Sequence, residues 1–357
     1  MNIVKELDQI ALPISESEYR EMPELSYSTL STYERTGFDG LSHLFDKIES
    51  PALTLGSIVD TIITGTQKEF DDNYFVTDFP SLGEKETQVA NMLYDAYGNE
   101  YISMALIPFQ AILDAANTVD FYKNWKEETR VKALTERCSY YYGLKAKAGT
   151  RTIVDRKTYD DAIAMVTALK ESPATKGYFA DNDELSPIRR YYQLKFRAGL
   201  GQDYNMSTVF YRCMADLIVV DYESKKIYPI DLKTSGKSEW HFEDSFKQWN
   251  YMIQSRLYYR IIEANLANDP YFKDFSLENY RFIVVNKATL TPLVWEFPLT
   301  KEYGTLVDDK GNEFRDPFDI GVELQSYLDF RPQVPKGISV DGLNTIQCLK
   351  LKENINK

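Results

Sequence analysis

Between residues 189 and 236 the side chains alternate in polarity with a period of two, three times in succession. RRYYQLKFRA (189–198), STVFYRCMADLIVVDYES (207–224) and KKIYPIDLKTSG (225–236) each read as a strand. Only a short polar step around Glu223 and Ser224 separates the second from the third, a spacing that folds the two into a hairpin. A period-two pattern does not sit in a helix, so the chain must build a sheet here. Helical patterning follows from Trp240 to Leu266. Strand patterning returns in RFIVVNKATLTPLVWEFPL (281–299), with a turn around 286–288, and a last helix is expected near 317–329.

The first half reads differently. SYSTLSTYERTG (26–37) opens with good helix caps. In PALTLGSIVDTIITG (51–65), Leu55, Ile58, Val59 and Ile62 share one helix face. Residues 66–86 are acidic and aromatic and read as loop. Helical periodicity covers 87–140 and ends at the run Tyr140, Tyr141, Tyr142. A further helix follows with Ala162, Met165, Val166 and Leu169 as its apolar stripe, and Pro173 stops it. The expected fold is therefore α/β, a mixed central β-sheet flanked by helices and preceded by a helical region. The expected divisions are a mainly helical 1–180, a sheet core over 181–335 and a loose tail over 336–357.

Composition removes several chemistries. Cys138, Cys213 and Cys348 form no CxxC pair and are too few for a four-cysteine zinc or iron–sulfur site. His43 and His241 are too few for His-rich metal sites. An enzyme built from this chain must work with carboxylates, lysines or tyrosines. The net charge of −13 argues at first against nucleic acid. Its distribution weakens that argument: residues 1–120 hold 6 Lys+Arg against 21 Asp+Glu, and the rest of the chain is close to balanced. Basic clusters follow at Lys145, Lys147, Arg151, Arg156 and Lys157, then at Arg189, Arg190, Lys195 and Arg197. As solvated surface they carry no function; as a phosphate track they do. No run of about eighteen apolar residues occurs, so no membrane span is expected, and the start lacks a signal pattern. A cytoplasmic chain is expected.

The chemistry concentrates in IYPIDLKTSG (227–236). Asp231 and Lys233 are two apart on one strand and so share a face. The hairpin brings Asp216, on the preceding strand, roughly opposite Asp231, about 5 Å away. At that distance two carboxylates repel by roughly 3 kcal/mol at an effective dielectric of about 20. Mg²⁺ or Mn²⁺ would remove the repulsion, because hard cations take oxygen ligands. The plain alternative is an Asp–Lys ion pair inside a hairpin. On the following helix Tyr251, Gln254 and Tyr258 share a face. They either reach back to the acids or face solvent while Met252, Leu257 and Ile261 form the buried stripe.

Asp216, then Asp231-Leu232-Lys233-Thr234, then Tyr251-x-x-Gln254-x-x-x-Tyr258 resembles the PD-(D/E)XK nuclease superfamily, in particular its RecB-like, phage exonuclease-VIII-like branch. SYSTLSTYERTG is similar to the Ser-x-Ser-x-Leu opening of that branch, and LGSIVDTIITG to its Gly-[ST]-x-x-His helix, with Asp60 where the family usually has His. The resemblance implies a restriction-endonuclease-like core. It implies Asp216 and Asp231 as metal ligands, helped by the Leu232 carbonyl and with Asp60 as a further ligand. Lys233 becomes the catalytic lysine. Gln254, Tyr258, Tyr251, Thr234 and Ser28 become DNA contacts. It implies Mg²⁺ or Mn²⁺ as cofactor and DNA as partner, together with a single-strand-annealing or other recombination or replication protein. The family's frequent Glu on the first core strand is replaced by Gln193, and the cysteines of its iron–sulfur members are missing. The implied activity is an exonuclease working from DNA ends. The alternatives are an endonuclease on the same fold and a non-cutting nuclease-fold module that binds DNA or protein.

Overall fold

The computed structural model describes residues 5–44, 50–79, 82–202 and 206–329. The proposed tail over 336–357 and Cys348 lie outside the described residues. The chain divides into two units, one formed by 1–48 with 169–357 and the other by 49–168. The boundary therefore differs from the expected one at 180. The N-terminal segment belongs with the sheet, because its backbone is bonded to it: Leu12 donates to the Lys195 carbonyl at 2.8 Å and Leu25 to the Phe210 carbonyl at 3.0 Å.

In chain order the first unit opens with α1 (Glu16–Glu21) and α2 (Tyr27–Thr36). Ser15 closes a reciprocal capping box with Glu18 on α1, and the Ser26 hydroxyl accepts from the Thr29 backbone on α2.

The 49–168 unit carries α3 (Pro51–Thr64), α4 (Gln67–Asn73), β1 (Tyr74–Thr77), α5 (Glu84–Tyr97), α6 (Phe109–Thr118), α7 (Glu127–Ala148), β2 (Thr152–Asp155) and most of α8 (Arg156–Glu171). Residues 66–86 are thus not all loop. Thr66 and Glu69 form a capping box that starts α4, and β1 pairs in parallel with β2. The tyrosine run does not end a helix either. Tyr141 and Tyr142 are buried in the middle of α7, where the Tyr142 hydroxyl donates to the Tyr101 carbonyl at 3.0 Å. On α3, Ile58 and Val59 are fully buried. On α8 the expected stripe of Ala162, Met165, Val166 and Leu169 is buried, and Asp155 accepts from the Thr158 backbone at its start.

The first unit resumes with β3 (Ile188–Gln202), β4 (Thr208–Asp221), β5 (Lys226–Ser235), α9 (Phe242–Gln248), α10 (Tyr251–Ala267), β6 (Ser276–Leu277), β7 (Arg281–Asn286), β8 (Leu293–Glu296) and, after a short two-stranded pair, α11 (Pro317–Asp329). The sheet is mixed, in the order β3-β4-β5-β7-β8 with β6 beside β5. β3, β4 and β5 are antiparallel neighbours; β5 and β7 are parallel, and α9 and α10 make the crossover between them. The 240–266 helix is broken. Asn250 has a φ of 54°, which no helix accommodates, and the chain turns there between α9 and α10. The β4–β5 hairpin closes where the Asp221 carboxylate accepts from the Glu223 and Ser224 backbones.

Inside this unit α10 is enclosed. Every residue from Met252 to Ile262 is buried, polar ones included. Arg256 donates to the Glu302 and Gly304 carbonyls and to Asp316, 2.8 Å away, so its charge is paired rather than stranded, though its Nη1 has no hydrogen-bond partner among the described residues. No helix among the described residues is long and apolar enough to cross a membrane.

Candidate active site

The β4–β5 ladder runs from Asp221–Lys226 to Leu217–Ile230. One more step along the same register brings Asp216 opposite Asp231, and there the strands part. Beyond that point β4 pairs only with β3, while β5 continues along β7. The bond that the ladder would have made is replaced: the Leu232 backbone N–H donates to Asp216 Oδ2 at 2.9 Å. The edge of β4 vacated by β5 is covered by the segment before α2, where Leu25 bridges Tyr211. Asp216 and Asp231 therefore stand at the apex of a fork.

Asp231 is 2% exposed. Burying a carboxylate is costly unless donors or a counter-charge offset it, and this one has one of each. Lys233 Nζ lies 2.5 Å from Oδ2, and Gln254 Nε2 donates to Oδ1. The carboxylate fixes the orientation of the Gln254 amide, because only its N–H edge can donate. The other edge, Oε1, is buried and has no hydrogen-bond partner among the described residues.

Lys233 is enclosed by aromatic rings as well as by charge. Its ammonium lies over the Tyr251 ring, 4.5 Å from the centroid. Tyr251 in turn packs with Phe242 and Phe282 in a three-ring cluster and lies 6.2 Å from Tyr27. The Tyr27 hydroxyl donates to the Trp249 carbonyl at 2.6 Å. Burial by itself pushes the Lys233 ammonium toward lower pKa; Asp231 first, with Tyr251, Asp216 and Tyr27, outweighs it, and the net shift is upward. Burial also raises the Tyr27, Tyr251 and Tyr258 phenols, so all three stay neutral donors at ordinary pH.

The other expected site residues are scattered around this centre. Tyr258 is buried, and its environment includes Tyr19, Cys213, Asp231 and Asp216. Gln254 and Tyr258 thus face the acids and not solvent. Thr234 pairs with Val285 on the sheet face away from Asp231 and Lys233, as alternation requires. Ser28 is exposed on α2, with its hydroxyl 2.9 Å from that of Ser26. Asp60 is half-buried on α3 in the other unit. Leu232 contributes its N–H to the site, through the bond to Asp216.

Gln193 lies opposite Asp216, between the Tyr192–Leu217 and Leu194–Ala215 pairs, with a φ of 53° inside a strand. A non-glycine residue held there costs of order 1–3 kcal/mol, so strain is concentrated beside the acid. Tyr27 escaped sequence reasoning, which singled out its neighbour Ser28; no spacing rule marks the aromatic that packs beside a lysine. The second basic cluster is largely committed locally: Arg189 donates to the Asp183 carbonyl at 2.6 Å, Arg190 to that of Gly177 at 3.0 Å, and Arg197 lies 3.3 Å from Glu24. The first cluster, starting at Lys145, is in the other unit.

Two carboxylates meet what Mg²⁺ asks of a protein, since that ion commonly keeps several waters and takes one or two carboxylates plus substrate phosphate. The orphaned Gln254 Oε1 fits a bound water as donor to it. Among the described residues no group of three or more His, Cys, Asp or Glu is placed to hold a metal, so substrate and water would complete the shell. No protein-family model matches the chain, and no curated protein matches it.

Proposed function

We propose that the chain is a divalent-metal-dependent DNA nuclease of PD-(D/E)XK type, hydrolysing phosphodiester bonds from DNA ends. The observation that carries the reading is the convergence of Asp216, Asp231 and Lys233 at the fork between β4 and β5, with Gln254 on Asp231. A carboxylate pair at the end of a ladder, tied to a buried lysine, serves no obvious packing purpose; hydrophobic residues would fill that space at lower cost.

Asp216 and Asp231 would hold Mg²⁺ or Mn²⁺, which when bound lowers the pKa of a water and offsets charge on the phosphate. Lys233, held protonated, does not act as a general base. Its ammonium orients the attacking water and supplies positive charge to the phosphate oxygens as the P–O bond to the leaving group breaks. Gln254 fixes Asp231 through its amide N–H, and its free Oε1 orients a water. The protein partner fitting this reading is an annealing or other recombination or replication protein, as the family resemblance implies.

The closed state of the site favours a second reading. With Asp231 2% and Gln254 4% exposed, a module that binds DNA or protein without cutting would also carry these contacts. Incubating linear and covalently closed DNA with Mg²⁺ or Mn²⁺, for wild type and Lys233→Ala, separates the readings. Lysine-dependent loss of linear DNA alone supports the exonuclease. Nicking of circles replaces it with an endonuclease. Binding without cleavage of either substrate leaves the non-cutting module.

A further inference from the structure

Arg212 stands on the same strand as Asp216, four residues before it, on the arm of the fork that β5 does not cover. Its backbone N–H donates to the Leu25 carbonyl at 2.9 Å. The residue is 8% exposed, yet Nε and Nη1 have no hydrogen-bond partner among the described residues. Its guanidinium lies over the Tyr19 ring, 4.8 Å from the centroid, and Arg197 stands directly opposite it on β3. The acid on the same N-terminal segment, Glu24, is engaged by Arg197 through Oε1, while its Oε2 is buried and has no hydrogen-bond partner among the described residues.

This arrangement is expensive. A guanidinium cannot shed its proton in a protein, and buried donors left unbonded, as two of this guanidinium's three nitrogens are, are costly to a fold. Arg256 shows how this chain treats a buried arginine for structural ends: carbonyls and a carboxylate engage Nε and Nη2, leaving only Nη1 without a partner among the described residues. Arg212 has Nε and Nη1 unengaged, although the Glu24 carboxylate, whose Oε2 is itself buried without a partner among the described residues, belongs to the neighbouring segment. The segment that packs on it at Tyr19 continues to Tyr27, which packs beside Tyr251 and the Lys233 centre. One short stretch of chain therefore borders both Arg212 and the acid apex.

We propose that Arg212 is a phosphate-binding residue of the fork, receiving a backbone phosphate of nucleic acid while Asp216 and Asp231 address a neighbouring one. Four residues of strand span about 13 Å, so the phosphate on Arg212 is not the one at the acids. Arginine suits the task because its planar fork matches two phosphate oxygens. The inference rests on the nuclease reading for its ligand, but its test does not depend on cleavage.

The test uses the full chain, wild type and Arg212→Gln, in EDTA so that no cutting occurs. Thermal unfolding is followed with and without inorganic phosphate, and affinity for a labelled oligonucleotide duplex is measured across salt concentrations. Phosphate should raise the wild-type Tm and leave the variant unmoved. The variant alone should unfold no earlier than wild type, since unbonded buried donors have been removed. Its oligonucleotide affinity should fall about tenfold, and its log–log salt slope should shrink by about 1. A variant that unfolds several degrees earlier, with an unchanged phosphate response, makes Arg212 structural and overturns the proposal. A phosphate response lost together with unchanged oligonucleotide affinity keeps an anion site but overturns its assignment to nucleic acid. If Arg212→Gln proves insoluble, Arg212→Lys serves: it keeps the charge without the fork and should lose most of the affinity. Failure of the nuclease reading would show separately, as absence of cleavage with this phosphate response intact.

Discussion

Replacing Lys233 by Met should destabilise the sheet unit through a single, identifiable charge. The ammonium lies 2.5 Å from Asp231 Oδ2, and the two side chains are 18% and 2% exposed. Removing one partner of a buried ion pair costs about 3–5 kcal/mol. Gln254 still donates to Oδ1, so the lower end, about 3 kcal/mol, is expected. For a unit of this size each kcal/mol lowers Tm by about 2–4 °C, which gives a fall of about 6–12 °C by calorimetry. Lys233 also offsets the repulsion between Asp231 and Asp216. Without it, Mg²⁺ should restore more of the Tm in the variant than it adds to wild type, because the ion takes over the ammonium's role. A second variant isolates the cause: Lys233→Met with Asp231→Leu removes both charges and should regain most of the loss. A Tm within about 2 °C of wild type for Lys233→Met, with equal Mg²⁺ responses, would refute the reasoning, since the pair would then be solvated.

Further outcomes follow from the same contacts. Lys233 has a folded pKa raised above its unfolded value, principally against burial by Asp231. Its stabilising contribution is then fully present below the unfolded value of about 10.4 and is lost only as pH rises through the higher folded value. Urea midpoints between pH 6 and 10 should accordingly show no step that disappears in Lys233→Met, and no ionisation from this lysine should enter an activity profile in that range. Gln254→Leu leaves Asp231 Oδ1 without its donor and should cost about 1–3 kcal/mol, read as a lower urea midpoint at unchanged m.

The sheet was legible because its constraint is local. Period two in 189–236, and the short polar step at Glu223 and Ser224, dictate antiparallel neighbours whatever surrounds them. The same register places Asp216 against Asp231, so the acid pair could be read from counting alone. The fork could not. Nothing in the hydropathy of β4 says that β5 leaves it at Asp216, because Leu25 takes over the vacated edge from far away in sequence. That long-range pairing also explains why residues 1–48 join the sheet unit. The left-handed turn at Asn250 was missed because helical periodicity continues on both sides of it. The capping box of Thr66 and Glu69 was readable and marks α4 inside a stretch whose acidity suggested loop. Alternation also fixes Thr234, on the sheet face opposite Asp231 and Lys233.

Release of nucleotides from an end-labelled linear duplex, in Mg²⁺ and in EDTA, tests the central claim most directly when wild type is compared with Asp216→Asn and Lys233→Ala. Metal-dependent release by wild type, lost by at least about a hundredfold in each variant while DNA binding persists, is the predicted result. Equal release by all three proteins, or none by any of them under conditions where wild type binds the duplex, would contradict the assignment of Asp216, Asp231 and Lys233 as a cutting site.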